Sequence, residues 1–528
     1  MTEYWSFPYA SQRMPVLAGN VVATSQPLAA QAGLLAMQQG GNATDAAIAA
    51  AIALTVVEPT SNGIGADAFA LVWDRGKLHG LNASGRSPAA LGVEQFQGHA
   101  EMPRTGWDAV TVPGAVGAWA ALSTRFGRLP FEVLFNAAVD YASSGFPVSP
   151  LTAAAWARAA MRFRDFEHFA ATFLPEGRAP SAGESFVCEP QAETLELIAE
   201  TNGRAFYEGE IADRIVGCAR DAGGRMSVDD LATHSCEWVD PLSVDYRDLT
   251  LCELPPNGQG IAALIALGLL THRDLREHPP DSADTLHLQI EAMKIALADT
   301  RRFVADPEAM TTPASALLEP GRLAERAAAI DPGSASDPGH GGGGYSSTVY
   351  LATGDEGGQM VSYIQSNYEG FGSGVVIPET GIAMQNRGAG FTLDPRHPNV
   401  VAGGKRPYHT IIPAFVLRDG APLMALGVMG GPMQPQGHVQ VMVRLADYGQ
   451  NPQAALDASR WRVEAGRHVV VEPGFAAPVL TELERRGHEI EHAPERSVQH
   501  GGGQIVARVG AAYLGASDGR RDGQAVGF

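Results

Sequence analysis

A run of four glycines at 341–344 divides this chain into two parts and constrains how it can fold. Tyr345, Ser346, Ser347 and Thr348 follow the run and lead into an apolar segment of the kind that forms a strand. Glycine tolerates backbone conformations that other residues avoid, so the chain can bend sharply here. If the Thr348 hydroxyl attacks the Ser347 carbonyl, an N→O acyl shift and hydrolysis would leave Thr348 as a new N-terminus. The junction is therefore a candidate self-cleavage site.

An N-terminal threonine would carry a nucleophile and a base in one residue. Its hydroxyl is a weak nucleophile at neutral pH, but its own α-amine, with an ordinary pKa of roughly 7.7–8.0, can accept the hydroxyl proton. The spacing alone also fits a plain linker that enters a strand, which is the more common role of a glycine run. It leaves Ser346 and Ser347 open as alternative positions of the cut.

The charge balance restricts the class of partner. The chain has a net charge of −20, with 58 acidic against 38 basic residues, which argues against nucleic acid or an anionic membrane surface. The first residues show no basic segment followed by an apolar one, so we expect no signal peptide and a cytoplasmic location. The most apolar run, 46–57, is far shorter than the ~20 residues of a membrane helix, and we expect a buried helix there.

Neither the cysteines nor the histidines suggest a metal site. The four cysteines lack a Cys-x-x-Cys spacing, and they are Cys188, Cys218, Cys236 and Cys252. We therefore expect reduced thiols, with neither a zinc site nor a redox pair. Three histidines lie near glycines without a metal-ligand spacing, namely His340, His438 and His500. The sequence predicts no metal and no cofactor.

Helical and extended patterns occupy different parts of the chain. Thr44 or Asp45 is expected to begin an alanine-rich helix, and helical patterns dominate from 150 to 331, including one at 282–303. After the junction, extended segments predict strands at 360–364, 381–384 and 411–417. Helices separated from short buried strands favour a layered α+β fold over an alternating parallel one.

Short blocks spread over nearly the whole chain resemble the γ-glutamyltranspeptidase family of N-terminal nucleophile hydrolases. The blocks are Gly-Gly-Asn-Ala-Thr-Asp-Ala-Ala at 40–47, Val-Glu-Pro at 57–59, Thr-Val-Pro-Gly-Ala at 111–115, Glu-Ala-Met-Lys at 291–294, Gly-Lys-Arg-Pro at 404–407 and Gly-Gly at 430–431. The segment from Thr348 through Asp355 resembles the start of the family's small subunit, and this register favours Thr348 as the first residue after the cut. The segments 365–368 and 385–391 are closest to a subgroup with cephalosporin (glutaryl) acylase-like members.

The resemblance implies a four-layer αββα sandwich, in which two stacked sheets lie between helical layers. It also implies two subunits, a large one of residues 1–347 and a small one of residues 348–528, that are interleaved in one fold. Cleavage would then leave a tight heterodimer of the two fragments. The expected ligand is a small-molecule amide.

The resemblance assigns the catalytic roles to four residues. Thr348 is the expected nucleophile, and Ser366 is the hydroxyl residue that orients it. Gly430 and Gly431 match the glycine pair whose backbone N–H groups form the family's oxyanion hole, where each donor is typically worth about 10²–10³ in rate. Asn367 and Tyr368 follow Ser366, and Tyr368 replaces an asparagine that contacts the substrate in true transpeptidases.

Three departures from the family pattern fall in the substrate pocket. γ-Glutamyl enzymes have an acidic residue that binds the substrate's α-amine in the segment corresponding to 386–391, where this chain has Gly390 and Arg387 and no acid. A buried ammonium without a counter-charge costs several kcal/mol, so the pocket does not suit a zwitterionic glutamyl group. Arg387 in the same segment instead favours a carboxylate or another anion.

The other two departures concern Arg86 and the segment after 406. The family's carboxylate-binding arginine aligns two residues away from Arg86, which can fill that role or form a structural salt bridge. A pair of serines in the family is replaced by Pro407 and Tyr408, with His409 next. We expect Tyr408 and His409 to reshape the pocket, with a hydrogen-bonded core position as the alternative for His409.

These observations predict a self-processed amidohydrolase that cleaves γ-glutamyl or related carboxyacyl amides through a Thr348 acyl-enzyme. Two alternatives remain open at this stage. One is a true glutathione hydrolase or γ-glutamyltranspeptidase. The other is an unprocessed, catalytically silent relative that only binds its ligand.

Overall fold

The computed structural model describes residues 12–339, 347–495 and 497–528. His340, the glycine run and Ser346 lie outside these residues. The strands, in chain order, are β1 (Val16–Ala18), β2 (Val21–Thr24), β3 (Asp67–Asp74), β4 (Lys77–Asn82), β5 (Phe146–Pro147), β6 (Ser185–Phe186), β7 (Glu237–Val239), β8 (Leu242–Tyr246), β9 (Leu249–Glu253), β10 (Ser347–Gly354), β11 (Met360–Tyr368), β12 (Ala414–Arg418), β13 (Ala421–Met429), β14 (Trp461–Ala465), β15 (His468–Val471), β16 (Glu489–His492), β17 (Gly502–Val509), β18 (Ala512–Ser517) and β19 (Gln524–Gly527).

The α-helices are α1 (Pro27–Gln38), α2 (Ala43–Val57), α3 (Ala115–Phe126), α4 (Asn136–Ser144), α5 (Pro150–Phe163), α6 (Glu167–Phe173), α7 (Glu189–Glu200), α8 (Arg204–Glu208), α9 (Glu210–Asp221), α10 (Val228–Ala232), α11 (Ile261–Leu270), α12 (Ala283–Phe303), α13 (Ala314–Leu317), α14 (Pro320–Ala328), α15 (Met433–Ala446), α16 (Pro452–Asp457) and α17 (Ala477–Arg485).

Within the described residues, two antiparallel sheets of seven strands form the centre of the fold. One sheet has the order β19-β2-β10-β11-β3-β4-β7, and the other has the order β1-β18-β17-β13-β12-β9-β8. Each sheet combines strands from before and after the junction. The two parts of the chain are therefore hydrogen-bonded into the same sheets.

Three hydrophobic clusters define the layers. A cluster that includes Tyr350, Phe415 and Val506 fills the space between the two sheets. The helices α1, α2 and α3 cover the outer face of the sheet that contains β10. The helices α11, α12 and α15 cover the outer face of the other sheet. The α+β class and the αββα layering predicted from the sequence are confirmed.

The buried helix α2 shows why alanine dominates its sequence. Every residue of α2 is buried, and it packs on α1, β10 and β11, so small side chains are needed on all faces. A capping box fixes its start, because the Asn42 side chain accepts from the Asp45 N–H and Asp45 accepts from the Asn42 N–H. The helix thus begins one residue earlier than Thr44.

Other sequence predictions had mixed outcomes. The helix expected at 282–303 is α12, capped by the Ser282 side chain. The strand predicted at 381–384 is wrong, because only isolated bridges at Ala383 and Met384 connect this segment to its neighbours.

All four cysteines are unpaired, whereas the cytoplasmic location stays a prediction. In the described part of the chain, none of the helices combines the length and apolar character needed to cross a bilayer.

Candidate active site

Thr348 lies at an irregularity in the pairing of β10 with β11. Ser347 is opposite Tyr368 and Val349 is opposite Gln365, so the register shifts by one residue between them. A bulge of this kind re-aims a side chain within an otherwise regular ladder. In the uncleaved chain Thr348 is completely buried.

The Ser366 hydroxyl connects the proposed nucleophile to the bond that would be cut. It donates to the Ser347 carbonyl oxygen at 2.8 Å and accepts from the backbone N–H of Tyr368 at 2.8 Å. Its only hydrogen is used on that carbonyl, so the Thr348 hydroxyl must be the donor in their 3.1 Å contact. The two hydroxyls form a chain from Thr348 to the Ser347 carbonyl, which polarises that carbonyl for attack.

Gly430 and Gly431 form the turn between β13 and α15. Their φ angles of 126° and 60° lie in the region that favours glycine. Among the described residues no acceptor takes a hydrogen bond from either N–H, whereas both carbonyls accept from the first turn of α15. The strand β13 packs across from β10, where Gly427 lies against the Tyr350 ring. Two unused N–H groups beside the Thr348 strand are what an oxyanion hole requires.

Gln259 holds this turn in place and was not among the site residues predicted from the sequence. Its amide nitrogen donates to the Gly431 carbonyl at 2.8 Å and to the Thr410 carbonyl at 2.6 Å. Its amide oxygen accepts from the Tyr408 hydroxyl at 3.0 Å. Tyr408 is therefore linked to the glycine turn through a single buried amide.

A cavity of about 730 Å³ extends from this turn and brings several predicted residues together. Tyr368, Tyr408, Gly390 and Pro432 lie in its wall. Four arginines also line it, and they are Arg104, Arg301, Arg302 and Arg326, against the acidic Glu101 and Asp299. Arg104 and Arg326 are paired with Glu369 and Asp299, whereas Arg301 and Arg302 form no ion pair among the described residues. Their positive charge suits a substrate with an anionic group.

Arg387 lies behind the cavity wall, at the start of a short 3₁₀ turn. Its guanidinium donates from Nη1 to the Thr410 hydroxyl at 2.7 Å and lies 4.9 Å from the Tyr368 ring centroid. Both contact residues line the cavity. Burial lowers the pKa of Arg387 to about 10, which leaves it protonated at neutral pH.

His409 is buried away from the cavity, beside Asp67. Its Nδ1 accepts from the Ile411 N–H at 3.4 Å, so Nε2 carries the proton that faces Asp67 Oδ2 at 3.1 Å. Burial lowers the pKa of His409 well below its usual value and raises the pKa of Asp67 to about 7. Asp67 is the β3 partner of Ser366, so this pair lies beside β11, and β11 separates it from the Thr348 strand β10.

The remaining predicted residues are placed differently. Arg86 donates to Asp306 at 3.1 Å and to the Gly404 carbonyl at 3.0 Å, and it lines a separate cavity of about 40 Å³. Asn367 is fully buried, and neither atom of its side-chain amide has a hydrogen-bond partner among the described residues. Substrate contacts by Arg86, Asn367 and His409 stay predictions.

One group of buried side chains has the composition of a metal site. In the described part of the chain, His287, Glu291 and His488 bring ligand atoms within 4.8 Å of one another. The two imidazoles bond each other at 2.8 Å, and the Lys294 ammonium donates to Glu291 at 2.8 Å, so a cation already neutralises the carboxylate. Glu291 and Lys294 also bond the backbone of Ser336 at 3.0 Å each. We interpret the group as an anchor for the segment that precedes the junction.

The comparison with protein families is decisive. The profile described as Gamma-glutamyltranspeptidase matches residues 29–528. The chain belongs to the γ-glutamyltranspeptidase family.

Several relatives within the γ-glutamyltranspeptidase family match over almost their full length. The glutathione hydrolase-like YwrD proenzyme of Bacillus subtilis (strain 168) is 36% identical, over 96% of this chain and 98% of its own. The oxamate amidohydrolase proenzyme of Klebsiella pneumoniae is 35% identical, over 95% of this chain and 97% of its own. The crystal structure of cephalosporin acylase from Bacillus halodurans superposes with a TM-score of 0.95 at 48% identity, covering 99% of this chain and 98% of that one.

Membership of the γ-glutamyltranspeptidase family confirms the fold and the chemical class. The chain is an N-terminal nucleophile amidohydrolase of the kind made as a proenzyme. The similarity to a cephalosporin acylase structure also confirms the subgroup indicated by 365–368 and 385–391. The roles of the individual site residues, Thr348 among them, stay predictions that the geometry supports.

Proposed function

We propose that the chain cleaves itself between Ser347 and Thr348 and that the resulting heterodimer hydrolyses amides whose acyl group carries a carboxylate but no α-ammonium. The buried hydroxyl chain from Thr348 through Ser366 to the Ser347 carbonyl supports the cleavage. Each of the two sheets contains strands from both fragments, 1–347 and 348–528, which supports a heterodimer that stays together.

Turnover in the mature protein follows from the same groups. The Thr348 hydroxyl oxygen attacks the amide carbonyl carbon while the Thr348 α-amine takes the hydroxyl proton. The Gly430 and Gly431 N–H groups hold the oxyanion, and the α-amine returns the proton to the leaving nitrogen as the C–N bond breaks. Water then attacks the ester on Thr348, which releases the carboxylic acid and restores the hydroxyl.

The observation that carries the substrate assignment is a contact between Gly390 and Tyr408. A Cβ atom built on Gly390 would lie 2.5 Å from the Tyr408 carbonyl oxygen, closer than any side chain tolerates. The Tyr408 backbone occupies the space that a side chain at position 390 would need. The absence of an acidic side chain at 390 and the Pro407-Tyr408 replacement are therefore parts of the same structural change. Among the described residues, the cavity wall therefore presents no carboxylate at position 390.

The names of the relatives agree with this substrate class. Oxamate, the substrate in the name of the Klebsiella pneumoniae relative, carries a carboxylate beside its amide carbonyl and has no α-ammonium. An acyl group of that kind needs a cation in the pocket and no acidic partner. The four cavity arginines and Arg387 supply positive charge.

Two chromogenic amides test the proposal. Glutaryl-p-nitroanilide and γ-glutamyl-p-nitroanilide differ only in the α-ammonium, so their kcat/KM values compare the two head groups directly. We expect the glutaryl compound to react at least about tenfold faster, because an unpaired buried ammonium costs several kcal/mol. Faster release of p-nitroaniline from the γ-glutamyl compound would refute the assignment and favour a glutathione hydrolase.

A further inference from the structure

One edge of the Arg387 guanidinium has no partner. Nη1 is used by the Thr410 hydroxyl, but Nε and Nη2 are buried without a hydrogen-bond acceptor among the described residues. The side chain is only 1% exposed, so water does not satisfy these groups. A buried charged donor without an acceptor is costly, which indicates that this edge has a ligand in the working enzyme.

The free edge has the geometry that holds a carboxylate. Nε and Nη2 point their hydrogens in parallel, and a carboxylate can accept both. Elsewhere in the chain Arg276 binds Asp274 in this way, with distances of 2.8 and 3.0 Å. Three further arginines, Arg396, Arg485 and Arg520, use the same edge for Asp394, Glu482 and Glu472.

No carboxylate of the described chain is available to Arg387. Burial lowers the pKa of Arg387 and the charge of Asp67 partly offsets this shift, but the two side chains form no ion pair. Asp67 already accepts from the Gly85 and Gly114 N–H groups through one oxygen and faces His409 with the other. The guanidinium of Arg387 therefore remains available to pair with an anion from outside the chain.

The position of Arg387 relates this edge to the substrate cavity. The N–H of Asn386, the preceding residue, donates to the Asn367 carbonyl at 3.1 Å, which ties the turn to the end of β11 next to Ser366. Tyr368 and Thr410, which contact the guanidinium, both form cavity wall. The Tyr368 ring separates Arg387 from the cavity in the uncleaved chain.

Tyr368 is held in a position that cleavage would release. It has a φ of 76°, a left-handed conformation that costs energy for a non-glycine residue, and it is paired across the ladder with Ser347. Cutting the bond after Ser347 would separate that partner from the rest of β10. A rotation of the Tyr368 side chain would then open a route from the cavity to the guanidinium.

We propose that the Nε–Nη2 edge of Arg387 binds the carboxylate of the substrate's acyl group. This proposal rests on the proposed function, since it names the residue that recognises the carboxyacyl class. Arg387 acts as a specificity-determining residue: it holds the far end of the acyl chain while Thr348 attacks the amide carbonyl.

The test compares two anilides on the mature enzyme and its Arg387→Met variant. Glutaryl- and pentanoyl-p-nitroanilide have acyl chains of equal carbon number and differ in a terminal carboxylate against a methyl group. We expect Arg387→Met to lose about a hundredfold in kcat/KM for the glutaryl compound and to change little for the pentanoyl one. Arg396→Met, which removes an arginine with 88% of its side chain exposed, is the matched control and should leave both values unchanged.

A second measurement does not depend on turnover. Glutarate should raise the Tm of the mature wild-type protein and of Arg396→Met, but not that of Arg387→Met, and pentanoate should raise none of them. An intact-mass spectrum with fragments 1–347 and 348–528 shows that Arg387→Met has folded and processed itself. If Arg387→Met does not process, the same comparisons use Arg387→Lys, which keeps the positive charge but lacks the paired Nε and Nη2 donors and should lose the glutarate-specific Tm shift.

The outcomes separate the two proposals. Equal losses for both anilides in Arg387→Met, or no glutarate-specific Tm shift in the wild type, would overturn the role of Arg387. Glutarate binding that requires Arg387, together with faster turnover of the γ-glutamyl anilide, would overturn the proposed function and leave the anion site standing.

Discussion

The Ser366 hydroxyl donates to the Ser347 carbonyl oxygen at 2.8 Å, so the scissile carbonyl is already polarised before any cleavage occurs. The same hydroxyl accepts a hydrogen bond from the Thr348 hydroxyl, so Ser366 is hydrogen-bonded both to the nucleophile and to the carbonyl that it would attack. As Thr348 attacks, negative charge develops on the carbonyl oxygen and this hydrogen bond strengthens. We therefore predict that Ser366 takes part in forming the active site as well as in orienting its nucleophile.

Replacing Ser366 with alanine should slow self-cleavage by about 10²-fold, since one donor to a developing oxyanion is lost. The conversion of full-length chain to fragments, followed by gel densitometry, measures the rate. Ser362→Ala is the control, because Ser362 is a buried hydroxyl on the same strand that bonds Tyr350 instead. Equal rates in wild type and Ser366→Ala would exclude the proposed polarisation.

Replacing Thr348 with alanine should abolish both cleavage and amidase activity, because the hydroxyl is removed and the fold around it is kept. Intact-mass spectra of purified protein give the result directly: fragments 1–347 and 348–528 for wild type, one full-length species for the variant. Thr348→Ser keeps a hydroxyl and should still be cut. Ser347→Ala should be cut at the same bond, and a shifted cut in that variant would move the nucleophile to another residue.

Replacing Asp67 with asparagine should flatten the dependence of stability on pH. Burial raises the pKa of this carboxyl from 3.8 to about 7, so between these values the folded state binds a proton that the unfolded state has lost. The stability contributed by the protonated form is present below 3.8 and is lost as the pH rises towards about 7, a change of a few kcal/mol. Melting temperatures measured across this range should fall less steeply in Asp67→Asn than in wild type. The exposed Asp240→Asn should match the wild-type slope.

Introducing an aspartate at Gly390 should not create a γ-glutamyl enzyme. Its Cβ would lie 2.5 Å from the Tyr408 carbonyl, and the backbone would have to move, at a cost of about 1–3 kcal/mol. We expect a lower Tm and no gain in γ-glutamyl-p-nitroanilide turnover. Gly519→Asp is the comparison, because a Cβ there meets no atom within 4 Å. A Gly390→Asp protein that melts normally and prefers the γ-glutamyl anilide would show that the substrate class depends on that single side chain.

The sequence predicted the parts of the site that are carried by local motifs. Thr348, Ser366 and the Gly430-Gly431 pair could be identified because each sits in a short block that resembles the family. Asp67 and Gln259 could not, because their roles come from sheet pairing and loop packing between distant segments: Asp67 faces Ser366 across β3 and β11, and Gln259 reaches the glycine turn.

The sequence also predicted the start of helix α2 only approximately. The helix expected from Thr44 or Asp45 begins earlier, since Asn42 and Asp45 together satisfy the first N–H groups.

His409 had two possible roles in the sequence, a pocket contact or a core position. Its complete burial against Asp67 and Phe69 of β3 could be known only from the packing of two segments that are far apart in the sequence.

Because each sheet contains strands from both fragments, cleavage would change how this protein unfolds. Before the cut, the chain unfolds and refolds as one molecule, and its stability does not depend on concentration. After the cut, complete unfolding would release two chains, and refolding would require them to meet again and rebuild two sheets at once. We therefore expect the lifetime of the mature enzyme to depend on its rate of unfolding, because the single chain that could refold alone has been consumed by the cleavage.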